Sequence, residues 1–416
     1  MTEPKKFGFI PVASLITPVP PSEIAHEAQK ELLHMGGGHF NENQISEKIP
    51  LFYFVLTGGT EQKVYSLWKE RKEKLGNEPV VLLAHHGNNS LPASLEILAR
   101  LKQEGAKGSI IYLDYKTNKE CWSEVHSAIK HFGVFHQLRK SKIGLVGKPS
   151  DWLIASMPDY EKIKNIWGPE IVEIEIDELK KGIEEITENE IEETQFQFTE
   201  NAAGIKEPSK KDLKNVAKVY AALKKIVKKY KLSAVSVRCF DLVVDMKTTG
   251  CFALSKLNDD GIIAGCEGDL VSTLGMLWAN LLTDQLVWMA NPSQINELNN
   301  SMWLAHCTVP LGMVDKYILR SHFESGLGVG IEGELSKGKA TLLRLGGVDT
   351  NKLWISNAEI IESGSEENLC RTQIHLKLHG NYKVSDLLKE PLGNHMVLIR
   401  GSYVKEMQKW FEDFIE

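Results

Sequence analysis

The sequence predicts an α/β protein: two doubly wound, Rossmann-like parallel sheets followed by a small antiparallel β-barrel. Three observations carry that prediction. Short apolar runs rich in β-branched residues alternate with helical stretches through most of the chain, which argues for parallel strands joined by right-handed crossovers. After Pro310 the intervening helices drop out and short strands follow one another between turns, as in a barrel or sandwich. At 416 residues the chain exceeds what one core supports, so several domains are expected. We place them at 1–140, 141–312 and 313–416.

The N-terminal third reads strand by strand. Phe7–Val12, Leu51–Leu56, Val80–Ala84 and Ser109–Leu113 are apolar runs, with helices predicted over Ser22–Met35, Glu61–Lys74 and Pro92–Gln103. The strands end on polar residues: Thr57-Gly58-Gly59, His85-His86 and Asp114-Tyr115. The Gly58-Gly59 turn lacks both the dinucleotide fingerprint and the lysine of a nucleotide P-loop, so it reads as a tight strand–helix turn. His85 and His86 could contact a sugar hydroxyl or serve as hydrogen-bonded scaffold.

A second α/β unit starts with a strand at Lys142–Val146, and Gly147–Trp152 is read as a turn entering a helix. Trp152 at such a place could stack on a sugar face, although a tryptophan on a helix's first turn is more often packing. Acidic Glu173–Glu200 keeps a strand-then-helix period, and basic Lys206–Lys231 carries an apolar stripe through Val216, Val219, Tyr220, Leu223 and Val227. Both are solvated amphipathic faces.

Ser233–Pro310 organises the rest. Ala234–Phe240, Gly261–Cys266, Leu286–Ala290 and Ser301–Ala305 read as four strands, and Leu270, Leu274, Leu277 and Leu281 recur at helical spacing. Parallel strands would finish on one sheet edge, where open α/β sheets bind ligands. On that expectation Asp241, Glu267, Asp269, Asn291 and His306 face one crevice, a donor set suited to a divalent cation. Beyond Pro310, strands are predicted near Ala340–Leu345, Leu353–Ile361, Thr372–Leu378 and Met396–Gly401, then an amphipathic helix at Val404–Ile415.

Composition bounds the function. Hydrophobic content of 42% and charged content of 25% are ordinary for a globular protein. A net charge of −6 and a pI near 6.2 argue against a nucleic-acid binder. No apolar run is long enough to span a bilayer, and the first residues carry no signal-type apolar segment. A cytoplasmic location without nucleic-acid or membrane partners is therefore expected. The six cysteines include no CxxC pair, and they read as reduced thiols. Cys239, Cys266 and Cys307 fall beside the crevice, but free cysteine behaves as a small buried hydrophobe, so no thiolate site is assigned.

The segments Gly265–Leu270 (GCEGDL), Leu286–Pro292 (LVWMANP), His306–Pro310 (HCTVP), Ser321–Gly326 (SHFESG) and Pro391–His395 (PLGNH) resemble the L-fucose isomerase-like family. The resemblance implies an aldose–ketose isomerase acting on a monosaccharide with a divalent metal, manganese above all, and a homo-oligomeric, hexameric assembly. That family holds its metal with a Glu, an Asp and a His near the C-terminus. Here Glu267 stands at the Glu position, His395 at the His position and Asn291 at the Asp position.

An amide oxygen can ligate a metal but cannot exchange a proton as a carboxyl does. The missing acid–base half would fall to Asp269, Asp241, His306 or a water, with Glu267 and Asp269 as the catalytic candidates. Arg238, Asp241, His306, His322 and Glu324 are candidate substrate contacts, and Lys148, Arg238 and Arg371 would suit an anionic or sulfonated sugar. Two other readings fit the same residues: a catalytically silent sugar-binding relative, or a metal-dependent dehydratase or epimerase.

Overall fold

The computed structural model describes residues 5–114, 119–380 and 382–416. Tyr115, expected at a strand end, lies outside them. The chain divides into two compact units, Met1–Gln137 with Lys409–Glu416, and Leu138–Gln408.

The first unit contains a five-stranded sheet of β1 (Phe7–Val12), β2 (Gly37–His39), β3 (Leu51–Val55), β4 (Val80–His85) and β5 (Gly108–Leu113), in the order β2-β1-β3-β4-β5. Every pairing is parallel. β3 and β4 are buried along their whole length, as expected of central parallel strands with both faces covered. The edge strand β2 was not legible in the sequence: it is three residues long with two glycines. His85 is scaffold, its ring nitrogen bonded to the Leu56 carbonyl at 2.8 Å.

The second unit combines a parallel sheet with a closed barrel. β6 (Lys142–Val146), β7 (Glu170–Ile174), β9 (Ala234–Val237) and β10 (Ile263–Cys266) pair in the order β10-β9-β6-β7, all parallel. The barrel joins β11 (Val287–Asn296), β12 (Ser301–His306), β17 (Thr372–His379), β16 (Lys352–Gly364), β15 (Gly338–Gly346) and β18 (Met396–Arg400). A small third sheet pairs β14 (Gly330–Glu334), β13 (Lys316–Arg320) and β8 (Gly204–Ile205). Fold class thus agrees with the sequence prediction.

Three local expectations are corrected. The runs at Leu286–Ala290 and Ser301–Ala305 do not extend the parallel sheet; they are antiparallel barrel strands β11 and β12. Only Glu297–Asn300 separate them, and a connection that short cannot make a parallel crossover. Pro292, unusual inside a strand, sits where the register shifts. Second, β9 ends at Val237 and a helix occupies Cys239–Met246, so Asp241 lies in its first turn rather than at a strand end. Third, Gly147–Trp152 enters no helix. The next one runs over Tyr160–Ile166, capped by Asp159; Pro149 and Pro158 disfavour helix at the residues before them, and the stretch between folds into turns closed by Leu153 N–H to the Ser150 carbonyl and Ser156 N–H to the Leu153 carbonyl.

The helix Leu270–Thr283 links the two layers. It follows β10, is buried almost throughout, and packs so closely on the barrel that a Cβ on Gly275 would lie 3.6 Å from both Leu343 and Val397. β10 is further pinned by Asn258 at the end of the helix Cys251–Asp259. Its side chain accepts from Ala264 N–H at 3.1 Å and donates to the Leu254 and Ala264 carbonyls at 2.8 and 2.9 Å. Asn258→Ala leaves buried backbone groups unpaired and is expected to destabilise the second unit by about 1–3 kcal/mol. Denaturant titration checks this, and an unchanged midpoint would show that the clamp is dispensable.

Candidate metal and sugar site

The site is built where β10, β12 and the loop before β18 converge. Directly after β10, Glu267 adopts φ +63°, a left-handed conformation that a non-glycine residue holds only when its surroundings impose it. Gly268 follows at φ +69°, and a Cβ there would come 2.7 Å from the Lys148 carbonyl. Glu267 Oε2 accepts a 2.6 Å hydrogen bond from Trp152 Nε1, and Oε1 lies 3.6 Å from His395 Nε2.

His395 is wholly buried and fixed from behind. Its Nδ1 lies 2.9 Å from Asp269 Oδ2, and Asp269 caps the helix Leu270–Thr283 by accepting from Ser272 N–H at 2.8 Å. The Arg344 guanidinium, itself buried, reaches Asp269 Oδ2 at 3.3 Å and Ser156 Oγ at 2.6 Å, and bonds Ser272 Oγ. Gly393, at φ +144°, lets the loop carrying His395 pass over Arg344; a Cβ there would fall 2.2 Å from the guanidinium.

With Nδ1 committed to Asp269, His395 Nε2 is turned toward Glu267 and His306. At 3.6 Å the Glu267 oxygen is beyond hydrogen-bond length, and Nε2 is a buried polar atom with no hydrogen-bond partner. His306, at the end of β12, faces it with ring centroids 5.6 Å apart, and its own Nδ1 meets Thr308 Oγ1 at 2.9 Å. One ligand atom from each of Glu267, His306 and His395 lies within 4.8 Å of the other two. An orphaned, buried imidazole nitrogen beside a carboxylate and a second imidazole is a donor set that fits a divalent cation.

Electrostatics follow from this packing. Burial opposes protonation of His395, but the adjoining carboxylates of Asp269 and Glu267 prevail and push it up to about 9. Burial and the charge of His395 lower His306 to about 4. Asp269 lies well below the ordinary carboxylate range, because the charge of Arg344 and the bond to His395 outweigh burial.

The cluster borders a cavity of about 460 Å³ lined by, among others, Trp152, Phe240, Asn291, His322, Phe323 and Glu324. Glu267, Asn291, His306, His322 and Glu324 therefore share one space, whereas Asp241 and Asp269, expected at the same crevice, are not among its lining residues. Asn291 reaches it as the barrel residue paired across the ladder with Ala305. Asp269 and His395 stand behind the wall. Arg238 and Asp241 bond each other at 3.1 Å, and Arg238 also binds Asp151 at 3.0 Å; neither is among the residues lining the cavity. Arg371 is engaged by the Ser321 carbonyl and Glu367.

Sequence reasoning missed Trp152 as a partner of Glu267. Its signal was hidden because the contact spans 115 positions. His306, read from the sequence both as a cation donor and as a substrate contact, offers one ring nitrogen to the group that could hold a cation.

Fold and site together define an α/β–barrel protein with a carboxylate–imidazole cluster beside a cavity of about 460 Å³. A family model described as the L-arabinose isomerase central domain matches residues 159–281. Among curated relatives, a sulfoquinovose isomerase of Alkalicoccus urumqiensis is 21% identical over 285 residues, covering 66% of this chain and 63% of that protein. A sulfoquinovose isomerase of Clostridium sp. (strain MSTE9) is 26% identical over 186 residues, covering 44% and 41%. One from Priestia aryabhattai is 20% identical over 286 residues, covering 66% and 63%. The chain thus spans at most 63% of the length of these relatives. These likenesses are to sugar isomerases of the L-fucose/L-arabinose isomerase superfamily, which the chain resembles.

Arg344 and Asp269 have side-chain exposures of 1% and 0%. Arg344→Met strands a buried carboxylate and is expected to cost about 3–5 kcal/mol of stability, read by denaturant unfolding. A loss below about 1 kcal/mol, the scale of an exposed pair, would mean that the guanidinium does not hold Asp269.

Proposed function

We propose that the protein is a divalent-metal-dependent aldose–ketose isomerase acting on a monosaccharide. The observation that carries this reading is the buried, unpartnered Nε2 of His395 facing Glu267 and His306. Manganese as the metal, a homohexameric assembly and a cytoplasmic location belong to the same proposal, on the family resemblance. The sulfoquinovose isomerase relatives put a sulfonated hexose on the panel of substrates beside fucose- and arabinose-like aldoses.

Aldose–ketose conversion moves a proton between adjacent carbons while their oxygens exchange carbonyl and hydroxyl character. A divalent cation held by Glu267, His306 and His395 would polarise the carbonyl and offset the negative charge that develops. Asn291 contributes an amide from the neighbouring barrel strand and can ligate the cation or bind a sugar hydroxyl. The proton work falls to carboxylates that face the cavity. Glu267 is the first, its Oε2 oriented by Trp152. Glu324 is the second carboxylate lining the cavity among the described residues, and it supplies the exchangeable group that Asn291 cannot. Asp269, saturated by Ser272, Arg344 and His395, acts as a positioning residue that fixes the His395 ring. Trp152 and Phe240, edge to face at 5.0 Å, offer apolar surface for a sugar ring.

Incubating the metal-stripped protein with aldoses, with and without Mn²⁺, tests the reading: ketose should form only with metal. Glu267→Gln and His395→Ala should each reduce turnover at least a hundredfold, on the scale of losing general acid–base catalysis, while the fold persists. Unchanged activity in both variants would remove the site. Metal binding without ketose formation would favour a silent sugar-binding relative, and a dehydrated or epimeric product would favour the other enzyme classes. Asn291→Asp sharpens the assignment: a gain in turnover marks the amide as a loss, and abolition marks it as part of the chemistry.

A further inference from the structure

Five of the six cysteines, Cys239, Cys251, Cys266, Cys307 and Cys370, line the cavity, an unusual density of thiols beside a proposed carboxylate–imidazole metal site. They are not evenly placed. Cys307 accepts from Arg371 N–H at 3.5 Å, whereas Cys239 and Cys266 form a pair with Sγ atoms 2.8 Å apart. That separation is less than 1 Å longer than a covalent S–S bond.

The backbone explains the approach. Cys266 ends β10 and pairs with Val237 at the end of the adjacent parallel strand β9. Cys239 lies two residues beyond Val237, on the first turn of the following helix. Both cysteines are free, and the cavity they line gives small reagents access to otherwise buried sulfurs.

We propose that Cys239 and Cys266 are a redox-modification site at which hydrogen peroxide entering the cavity forms a reversible disulfide. One thiol sulfur attacks a peroxide oxygen, the O–O bond breaks, a water leaves and that cysteine becomes a sulfenic acid. The second thiol displaces the sulfenic hydroxyl as another water. Two thiols are thereby oxidised by two electrons, and one hydrogen peroxide is reduced to two waters.

The bond has a consequence for the neighbouring residue. Cys266 immediately precedes Glu267, whose left-handed backbone is held by its surroundings. Drawing the two sulfurs together tethers the strand end to the helix Cys239–Met246 and shifts the carboxylate from its partners. This consequence rests on the proposed cation site; the crosslink does not.

The test exposes the reduced full-length chain to graded hydrogen peroxide, blocks remaining thiols and maps peptides without reduction. The expected result is a Cys239–Cys266 linked peptide, an intact mass lower by two hydrogens, reversal by dithiothreitol, and loss of the crosslink in both Cys239→Ser and Cys266→Ser. Mn²⁺ affinity should fall about tenfold or more on oxidation, the scale of disturbing a ligand's supports, and recover on reduction. Linkage of Cys307 to Cys251 or Cys370 instead, or sulfinic acid at Cys239 without a linked peptide, would overturn the assignment. A crosslink that leaves Mn²⁺ affinity unchanged would overturn its coupling to Glu267. Reduced protein that binds no Mn²⁺ would end the cation reading, with the crosslink still decided by mass.

Discussion

The structure depends on one buried ionic chain: Arg344 to Asp269 to His395. A guanidinium and a carboxylate are costly to strip of water, and the cost is offset only when their remaining hydrogen-bonding capacity is met. Here Ser156, Ser272 and the Leu392 carbonyl meet it. The chain crosses from the barrel strand carrying Arg344, through the cap of the helix Leu270–Thr283, to the loop before β18. It therefore joins the barrel to the parallel sheet and fixes which imidazole nitrogen faces Glu267 and His306. Packing and chemistry are set by the same contacts.

Glu267 is the second constraint. Its strained backbone follows β10 directly, and Trp152, from a different loop of the same unit, holds one carboxylate oxygen. Strain of this kind persists where the surroundings over-determine a residue, and it concentrates at functional positions. The neighbouring thiols add a chemical sensitivity that an ordinary apolar wall would lack. A soft pair beside a hard-to-borderline donor cluster separates two kinds of chemistry within one cavity.

Much of this was legible in the sequence because it is local. Apolar runs ending in polar residues marked β1, β3, β4, β6 and β10, and helical spacing marked Leu270–Thr283. Glu267, Asn291 and His395 stood out through short motifs. What failed was partner choice. Val287–Ala290 has the apolar character of a buried parallel strand, yet a four-residue turn to Ser301 makes it an antiparallel barrel strand. Periodicity reports burial, and the partner is decided by the length of the connection. Arg344 was equally hidden: an arginine in an apolar strand acquires its role only when Asp269, 75 positions away, folds against it. Arg238 and Asp241 illustrate the reverse case, in which charges at the expected edge satisfy each other at 3.1 Å apart from the cavity wall.

The central claim is that Glu267, His306 and His395 share one cation. Anomalous X-ray scattering from crystals grown with Mn²⁺, recorded at the manganese edge, tests it most directly. The account predicts a single peak within coordination distance of Glu267 carboxylate oxygen, His395 Nε2 and a His306 ring nitrogen, with His395 Nδ1 still bonded to Asp269. A peak bound by other residues, or none there at saturating Mn²⁺, would contradict it.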